Sequence, residues 1–258
     1  MVQASNSLAD LGMPPKKLFK PDSDKPFPLS RTGLEKFVNC PRCFYLHQRL
    51  GVRPPAGPPF SINSAVDHLL KKEFDHYRRL GQPHPYMTEA GLNAVPYADS
   101  RLESWRNNFK GVRALHEQSG FEVFGAVDDV WIDRESGQLV VADYKATAKD
   151  SEVNLDSDWQ AGYKRQMEVY QWLLRQTGFE VSDTGYFVYC NGDKSAARFD
   201  GVVRFKVSLI PYTGSDSWVE EALQKAKACL EADGPPEAAT DCKQCVYLEK
   251  VRGLTLFM

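Results

Sequence analysis

Apolar residues recur at helical spacing first and at alternating spacing later. In LSRTGLEKFVNCPRCFYLHQRLG, Leu34, Phe37 and Val38 mark one helical face, with Phe44 and Leu46 beyond a Cys-Pro step. Thr32 and Glu35 have capping-box spacing, and Pro41 should interrupt or kink the helix. A Pro/Gly-rich connector over 52–60 leads to SAVDHLLKKEFDHYRRL (64–80). That stretch predicts an amphipathic helix with Val66, Leu69, Leu70 and Phe74 on its buried face. Residues 81–100 read as loop, and RLESWRNNFKGVRALHEQ as a third helical stretch.

The period then shortens to two. FEVFGAVDDVWID and QLVVADYKAT read as strands joined by the turn RESG. A helix over SDWQAGYKRQMEVYQWLLRQTG follows, with Asp158 as N-cap, Gly178 as C′ residue, and Tyr163, Met167, Tyr170 and Leu174 on one face. TGYFVYC and GVVRFKVSLIPY read as two further strands, and SDSWVEEALQKAKACLEA as another helix. The order predicts an α/β fold, a central sheet with helices packed on it.

The 258 residues suffice for a sizeable core, and 42% apolar with 26% charged residues is ordinary globular composition. The formal net charge of −2 does not announce a nucleic-acid partner, so any basic surface must be local. No apolar run is long enough to span a membrane and the N-terminus has no signal-peptide pattern, so a cytoplasmic protein is expected. Residues 1–28, rich in Pro, Lys and Asp, read as a poorly ordered arm, and 29–258 as one domain with a core of about 60–212.

Candidate chemistry sits in the alternating region. Asp143 and Lys145 lie two apart on one strand and share a face. In an apolar strand such a pair is costly unless paired or metal-bound. The preceding strand supplies Asp128 and Asp129. Alternation puts Asp128 with Phe124, Ala126, Val130 and Ile132, which favours it as the buried ligand and leaves Asp129 solvated. Two carboxylates on neighbouring strands and a backbone carbonyl suit Mg²⁺, and a lysine beside them can orient an attacking water or stabilise developing charge. The alternative is a plain buried Asp–Lys ion pair.

Three ordered elements carry a family resemblance: Gly125-Ala-Val-Asp128-Asp-Val130, then Val140-Val-Ala-Asp143-Tyr-Lys145, then Gln166 to Tyr170. Together they resemble the RecB-like branch of the PD-(D/E)xK nucleases. The resemblance implies a restriction-endonuclease-like core with a central mixed β-sheet flanked by helices. It also implies a Mg²⁺- or Mn²⁺-dependent deoxyribonuclease, exo- or endonucleolytic, in DNA repair, recombination or defence. Asp128 and Asp143 would bind metal with the Tyr144 carbonyl, Lys145 would be catalytic, and Gln166 and Tyr170 would support the site or the DNA. An upstream family histidine falls by register on Asp67, with His68 the alternative metal ligand.

Cys40-Pro-Arg-Cys43 and Cys242-Lys-Gln-Cys245 bracket these elements. Paired C-x-x-C spacing is a strong metal-site signal, which would join the segments at about 30–50 and 229–250. The first pair, in Cys-Pro-Arg-Cys-Phe-Tyr-Leu, resembles iron–sulphur members of the same branch, including some CRISPR-associated and helicase-linked nucleases. Those members commonly use one N-terminal and three C-terminal cysteines, so Cys43 would supply the fourth ligand here. The family context favours a [4Fe–4S] cluster, while the two-plus-two layout is typical of Zn²⁺. Cys190 and Cys229 read as core thiols, a reading open for all six cysteines.

Lys71, Lys72, Arg78 and Arg79 on the second helix, with Lys149, Lys164 and Arg165 near the motifs, are candidate phosphate contacts for single-stranded DNA or duplex ends. A solvated charged face is the alternative. The chain has no P-loop, so a motor would have to come from a separate helicase or recombination protein. A non-catalytic nucleic-acid-binding subunit or helicase scaffold is the competing function.

Overall fold

The computed structural model describes residues 17–55, 57 and 61–255. Most of the expected N-terminal arm lies outside these residues. Its C-terminal end is packed: Phe19 and Phe27 are buried against Phe121.

The central sheet has five strands: β2 (Ala94–Pro96), β5 (Asp129–Asp133), β6 (Leu139–Thr147), β7 (Thr184–Gly192) and β8 (Phe205–Thr213), in that order. β6 and β7 run parallel and the other neighbours antiparallel, so the sheet is mixed. β6 and β7 lie inside the sheet and are apolar on both sides. Helix α3 (Ser61–Leu80) covers one face, burying Leu70 and Phe74 against Trp131, Tyr144 and Val188. Helix α6 (Ala161–Gln176) covers the other, burying Met167, Tyr170 and Leu174 with Val130, Val141 and Phe187. This matches the expected central sheet flanked by helices.

A second, three-stranded sheet orders β1 (Phe27–Ser30), β4 (Phe121–Gly125) and β3 (Val112–His116), with β4 in the middle. Two expectations fail here. The third helical stretch shrinks to α5 (Leu102–Trp105), because Gly111 takes φ +65° and the chain beyond it pairs with β4. The single strand 121–133 is two strands in different sheets, broken at 126–128. Within 81–100, read as loop, α4 (Pro85–Glu89) and β2 also form.

Several local assignments shift by a residue or two. Ser30, not Thr32, caps α1 (Arg31–Asn39) by accepting from the Gly33 N–H. Ser157, not Asp158, forms a capping box with Gln160 ahead of α6. Leu69 points outward, 62% exposed. Pro41 does interrupt the helical run: α1 ends at Asn39 and α2 (Pro41–Gln48) begins with the proline, where its missing N–H costs nothing.

Candidate active site and cysteine centre

Alternation along β6 decides which way the chemistry faces. Asp143 and Lys145 point toward α6, while Tyr144 between them points toward α3, among Phe74 and Trp131. Asp143 is fully buried. One of its oxygens meets the Lys145 ammonium in an ion pair, and its Oδ1 has no hydrogen-bond partner among the described residues. Burial, opposed by Lys145 and reinforced by Asp128, raises the Asp143 carboxyl to about 6. Burial alone would lower the Lys145 ammonium, but Asp143 and Asp128 outweigh it and raise it.

Asp128 sits in the break between β4 and β5. Its Oδ2 accepts the Tyr144 N–H at 2.9 Å, which brings it beside the β6 backbone. It is partly exposed, whereas Asp129 is completely buried, so the expected burial of the two is reversed. The cause is the sheet change. β5 begins at Asp129, whose side chain falls on the α3 face with Trp131 and Tyr144. There Asp129 accepts from Arg78, from Arg106 at 3.0 Å, from the Tyr144 hydroxyl at 2.7 Å and from the Val130 N–H at 2.8 Å. Arg106 also donates to the Asp128 carbonyl at 3.0 Å and to Asp75 at 2.9 Å. Sequence reading missed this network, since Arg106 sat in a stretch read as helix.

Lys71 reaches the site from α3. Its ammonium lies 2.8 Å from Asp67 and 3.5 Å from Asp128. Asp67 therefore faces the site, and His68, one residue on, is exposed. From α6, Gln166 Oε1 accepts from Lys145 at 3.5 Å and Gln166 Nε2 donates to the Tyr170 hydroxyl at 3.0 Å. The Lys145 ammonium also lies 4.5 Å from the centre of the Tyr163 ring. The structure thus brings Asp67, Asp128, Asp143, Lys145, Gln166 and Tyr170 together. An unpartnered buried carboxylate oxygen facing further carboxylates is oxygen chemistry that suits a hard divalent cation, although among the described residues only the four cysteines converge as a group of three or more metal ligands.

The candidate DNA-contacting residues divide. Arg165 is held by Glu35, at 2.7 and 3.0 Å, and by Asn39. Arg78 is turned inward to Asp75, Asp129 and the Tyr97 carbonyl, and Lys71 is committed to carboxylates. Lys72 and Arg79 are exposed, and Lys164 stands 5.7 Å from the centre of the Tyr212 ring. Lys149 lines a cleft at the end of β6.

The four cysteines meet as their spacing predicts. Each pair begins a helix, α2 for Cys40 and Cys43 and α8 (Lys243–Thr255) for Cys242 and Cys245, where the helix dipole favours thiolates. All four sulfurs lie within 4.8 Å of one another. Burial pushes the Cys40 thiol up, but hydrogen bonds from the Ala239 and Cys43 backbone, and from the Cys242 and Cys43 side chains, bring it down to about 7. Cys190 is buried in β7, and Cys229 on α7 (Trp218–Glu231) points at the Pro41 carbonyl, 3.7 Å away. Neither belongs to the group.

None of the helices is long and apolar enough to cross a membrane, among the described residues. No curated protein matches the chain. The crystal structure of SSO0001 aligns over 88% of this chain and 86% of its own, at 16% identity and a TM-score of 0.39, a likeness too slight to carry argument. The sequence profile of the PD-(D/E)XK nuclease superfamily matches residues 28–249, a span that holds the carboxylate–lysine strand and all four cysteines. The chain belongs to the PD-(D/E)XK nuclease superfamily, whose members are usually metal-dependent nucleases.

Proposed function

We propose that this protein is a Mg²⁺- or Mn²⁺-dependent deoxyribonuclease that hydrolyses phosphodiester bonds at Asp128, Asp143 and Lys145. The carrying observation is the buried, unpartnered Oδ1 of Asp143 beside a buried lysine. Asp128, Asp143 and the Tyr144 carbonyl would hold the ion, with Asp67 as a further oxygen donor. When bound, the ion supplies Lewis acidity toward water and the phosphoryl group. Lys145 keeps Asp143 ionised at neutral pH and presents its ammonium where charge develops. Gln166 fixes that ammonium, and Tyr170 fixes Gln166. A role in repair, recombination or defence rests on the sequence resemblance to RecB-like nucleases alone. A helicase or recombination partner gains no support from the fold.

The test is cleavage of labelled single-stranded and duplex DNA with and without Mg²⁺ or Mn²⁺. Lys145→Ala and Asp143→Ala should each lose at least about a hundredfold in rate. Full activity in either variant sinks the proposal.

We infer that the cysteine centre is a structural staple holding either a [4Fe–4S] cluster, which the sequence resemblance favours, or Zn²⁺. One observation supports zinc. Three of the six sulfur separations, 3.5, 3.5 and 3.9 Å, lie near the edge, about 3.8 Å, of a tetrahedron with Zn–S of about 2.3 Å, and the rest are within 4.8 Å. Metal analysis and absorbance near about 400 nm separate the two.

A further inference from the structure

The hairpin of β7 and β8 extends beyond the strand that bears the reacting groups. Lys145 lies beside Tyr189, and Thr147 beside Asn191. The hairpin loop starts at Asp193, four residues past Tyr189, and so about 13 Å further along at about 3.3 Å per residue. Asn191 clamps the end of β6 to this hairpin. Its Oδ1 accepts the Lys149 N–H at 2.8 Å and its Nδ2 donates to the Lys149 carbonyl at 3.0 Å. The hairpin base is therefore fixed relative to Asp143.

The loop is itself built as a finger. The Asp193 N–H donates to the Arg204 carbonyl at 2.8 Å, and the Val202 N–H to the Phe199 carbonyl at 2.9 Å. Between them Asp200 (φ +46°) and Gly201 (φ +72°) take the two consecutive positive φ values that a type I′ turn requires. The turn presents Phe199 and Val202 at its tip, 70% and 57% exposed. An apolar tip on a tightly bonded turn marks an interaction surface.

Charge indicates what covers it. Residues 193–206 hold four basic side chains, Lys194, Arg198, Arg204 and Lys206, against two acidic ones, Asp193 and Asp200, in a chain of net charge −2. At the loop's base a cleft of about 680 Å³ is lined by four basic residues, Lys149, Lys194, Arg204 and Lys206, and by two acidic ones, Asp150 and Asp193. Lys194 pairs with Asp150 at 2.9 Å and Arg198 with Asp200 at 2.6 Å, both in solvent, where such pairs are weak and exchangeable. Arg204 and Lys206 are exposed. An exposed aromatic ring at the tip of a loop whose base carries a basic cleft suits an unpaired nucleic-acid strand, whose phosphates need cations and whose bases need a flat apolar face. A duplex keeps its bases stacked and offers no face to Phe199.

We propose that the 193–206 loop and its cleft bind an unpaired DNA strand running from the Asp143–Lys145 centre, with Arg204 and Lys206 on phosphates and Phe199 stacked on a base. This rests on the nuclease reading, and the test keeps the two apart. An oligothymidylate of about 20 nucleotides and a duplex are titrated by fluorescence anisotropy at several salt concentrations, without added Mg²⁺ or Mn²⁺. Hydrolysis of bis(p-nitrophenyl) phosphate with Mn²⁺ is measured alongside, since that diester is too small to reach the loop. Phe199→Ala should weaken single-strand binding about 5- to 100-fold without changing the salt slope. Arg204→Ala and Lys206→Ala should each flatten the slope by about 0.7. All three variants should hydrolyse the small diester as the parent does. Parental affinity and slope in all three, or losses confined to the duplex, overturn the loop assignment even if the diester is cleaved. Strand binding that falls in the variants, with no hydrolysis by the parent protein of the small diester or, once Mn²⁺ is added, of the oligothymidylate, supports the loop and overturns the nuclease reading.

Discussion

The Tyr144 hydroxyl donates to Asp129 Oδ2 at 2.7 Å, on the sheet face opposite Asp143. The same residue's N–H donates to Asp128 Oδ2 at 2.9 Å, in the proposed active site. Two adjacent aspartates thus serve opposite faces. Asp129, with Arg78 and Arg106, braces the backbone, and Asp128 is left to the solvent side. Asp129→Asn strips the charge that compensates two arginines and should cost about 3–5 kcal/mol in urea unfolding. Asp128→Asn should change stability by less than about 1 kcal/mol and abolish metal-dependent cleavage. The opposite ranking would contradict the assignment of the two residues.

Asp67 and His68 offer a second contrast. Asp67 faces Asp128 across the Lys71 ammonium, and His68, one residue and about 100° further round α3, is exposed. Asp67→Ala should raise the Mn²⁺ concentration needed for half-maximal cleavage by about tenfold, as loss of one oxygen ligand would. His68→Ala should leave it unchanged. A metal titration of both variants checks this.

Acid should weaken the proposed metal site. Asp143 has its carboxyl raised from 3.8 to about 6, so the metal-free folded protein holds the proton up to a higher pH than the unfolded chain does. The stability contributed by the neutral carboxyl is complete below about pH 4 and lost as pH rises through about 6. A bound cation has the opposite preference, since it needs the carboxylate. The rise in Tm on adding Mg²⁺ or Mn²⁺ should therefore be large at pH 7 and fade through pH 6, with apparent affinity falling about tenfold per unit below that. A pH-independent metal shift would show that Asp143 is not a ligand.

The six cysteines should sort by position. Burial pushes Cys190 and Cys229 up to about 11, whereas Cys40 sits at about 7. Alanine at Cys40, Cys43, Cys242 or Cys245 should lower the bound metal, measured by elemental analysis, and lower Tm, because the site joins α2 to α8. Alanine at Cys190 or Cys229 should leave the metal content intact. After chelation, Cys40 should be alkylated first by iodoacetamide.

Legibility in the sequence followed the strength of the local signal. The α6 helix and β6 through β8 were readable because their apolar periods run unbroken. Asp143 and Lys145 were readable because two residues of one strand must share a face. Asp128 and Asp129 were misplaced because alternation was carried across a break at which the chain passes between sheets. β3 was lost because Val112, Ala114 and His116 form a short alternating run next to a helical one, and its strand partner is chosen by tertiary pairing. Arg106 depends on partners far along the chain, which no local pattern encodes, whereas the Phe199 tip has a local signal, the Asp200-Gly201 dipeptide that favours a type I′ turn.

Gly125 ties the small sheet to the lysine. A Cβ there would stand 2.6 Å from Tyr170 Cε1, closer than such atoms approach, and 3.3 Å from Leu173 Cδ1, a tight contact. The Tyr170 ring is buried, and its hydroxyl holds Gln166, which holds Lys145. Gly125→Ala must therefore move the ring, and the motion reaches the ammonium through two hydrogen bonds. The expected result is a loss of about 1–3 kcal/mol in stability from overpacking, with a fall in cleavage rate at saturating metal. The cause can be isolated with Tyr170→Ala, which removes the obstructing ring. In that background Gly125→Ala should add little further destabilisation, because residues in contact are non-additive. Equal costs in both backgrounds would place the strain on Leu173 or the backbone and break the proposed link from Gly125 to Lys145.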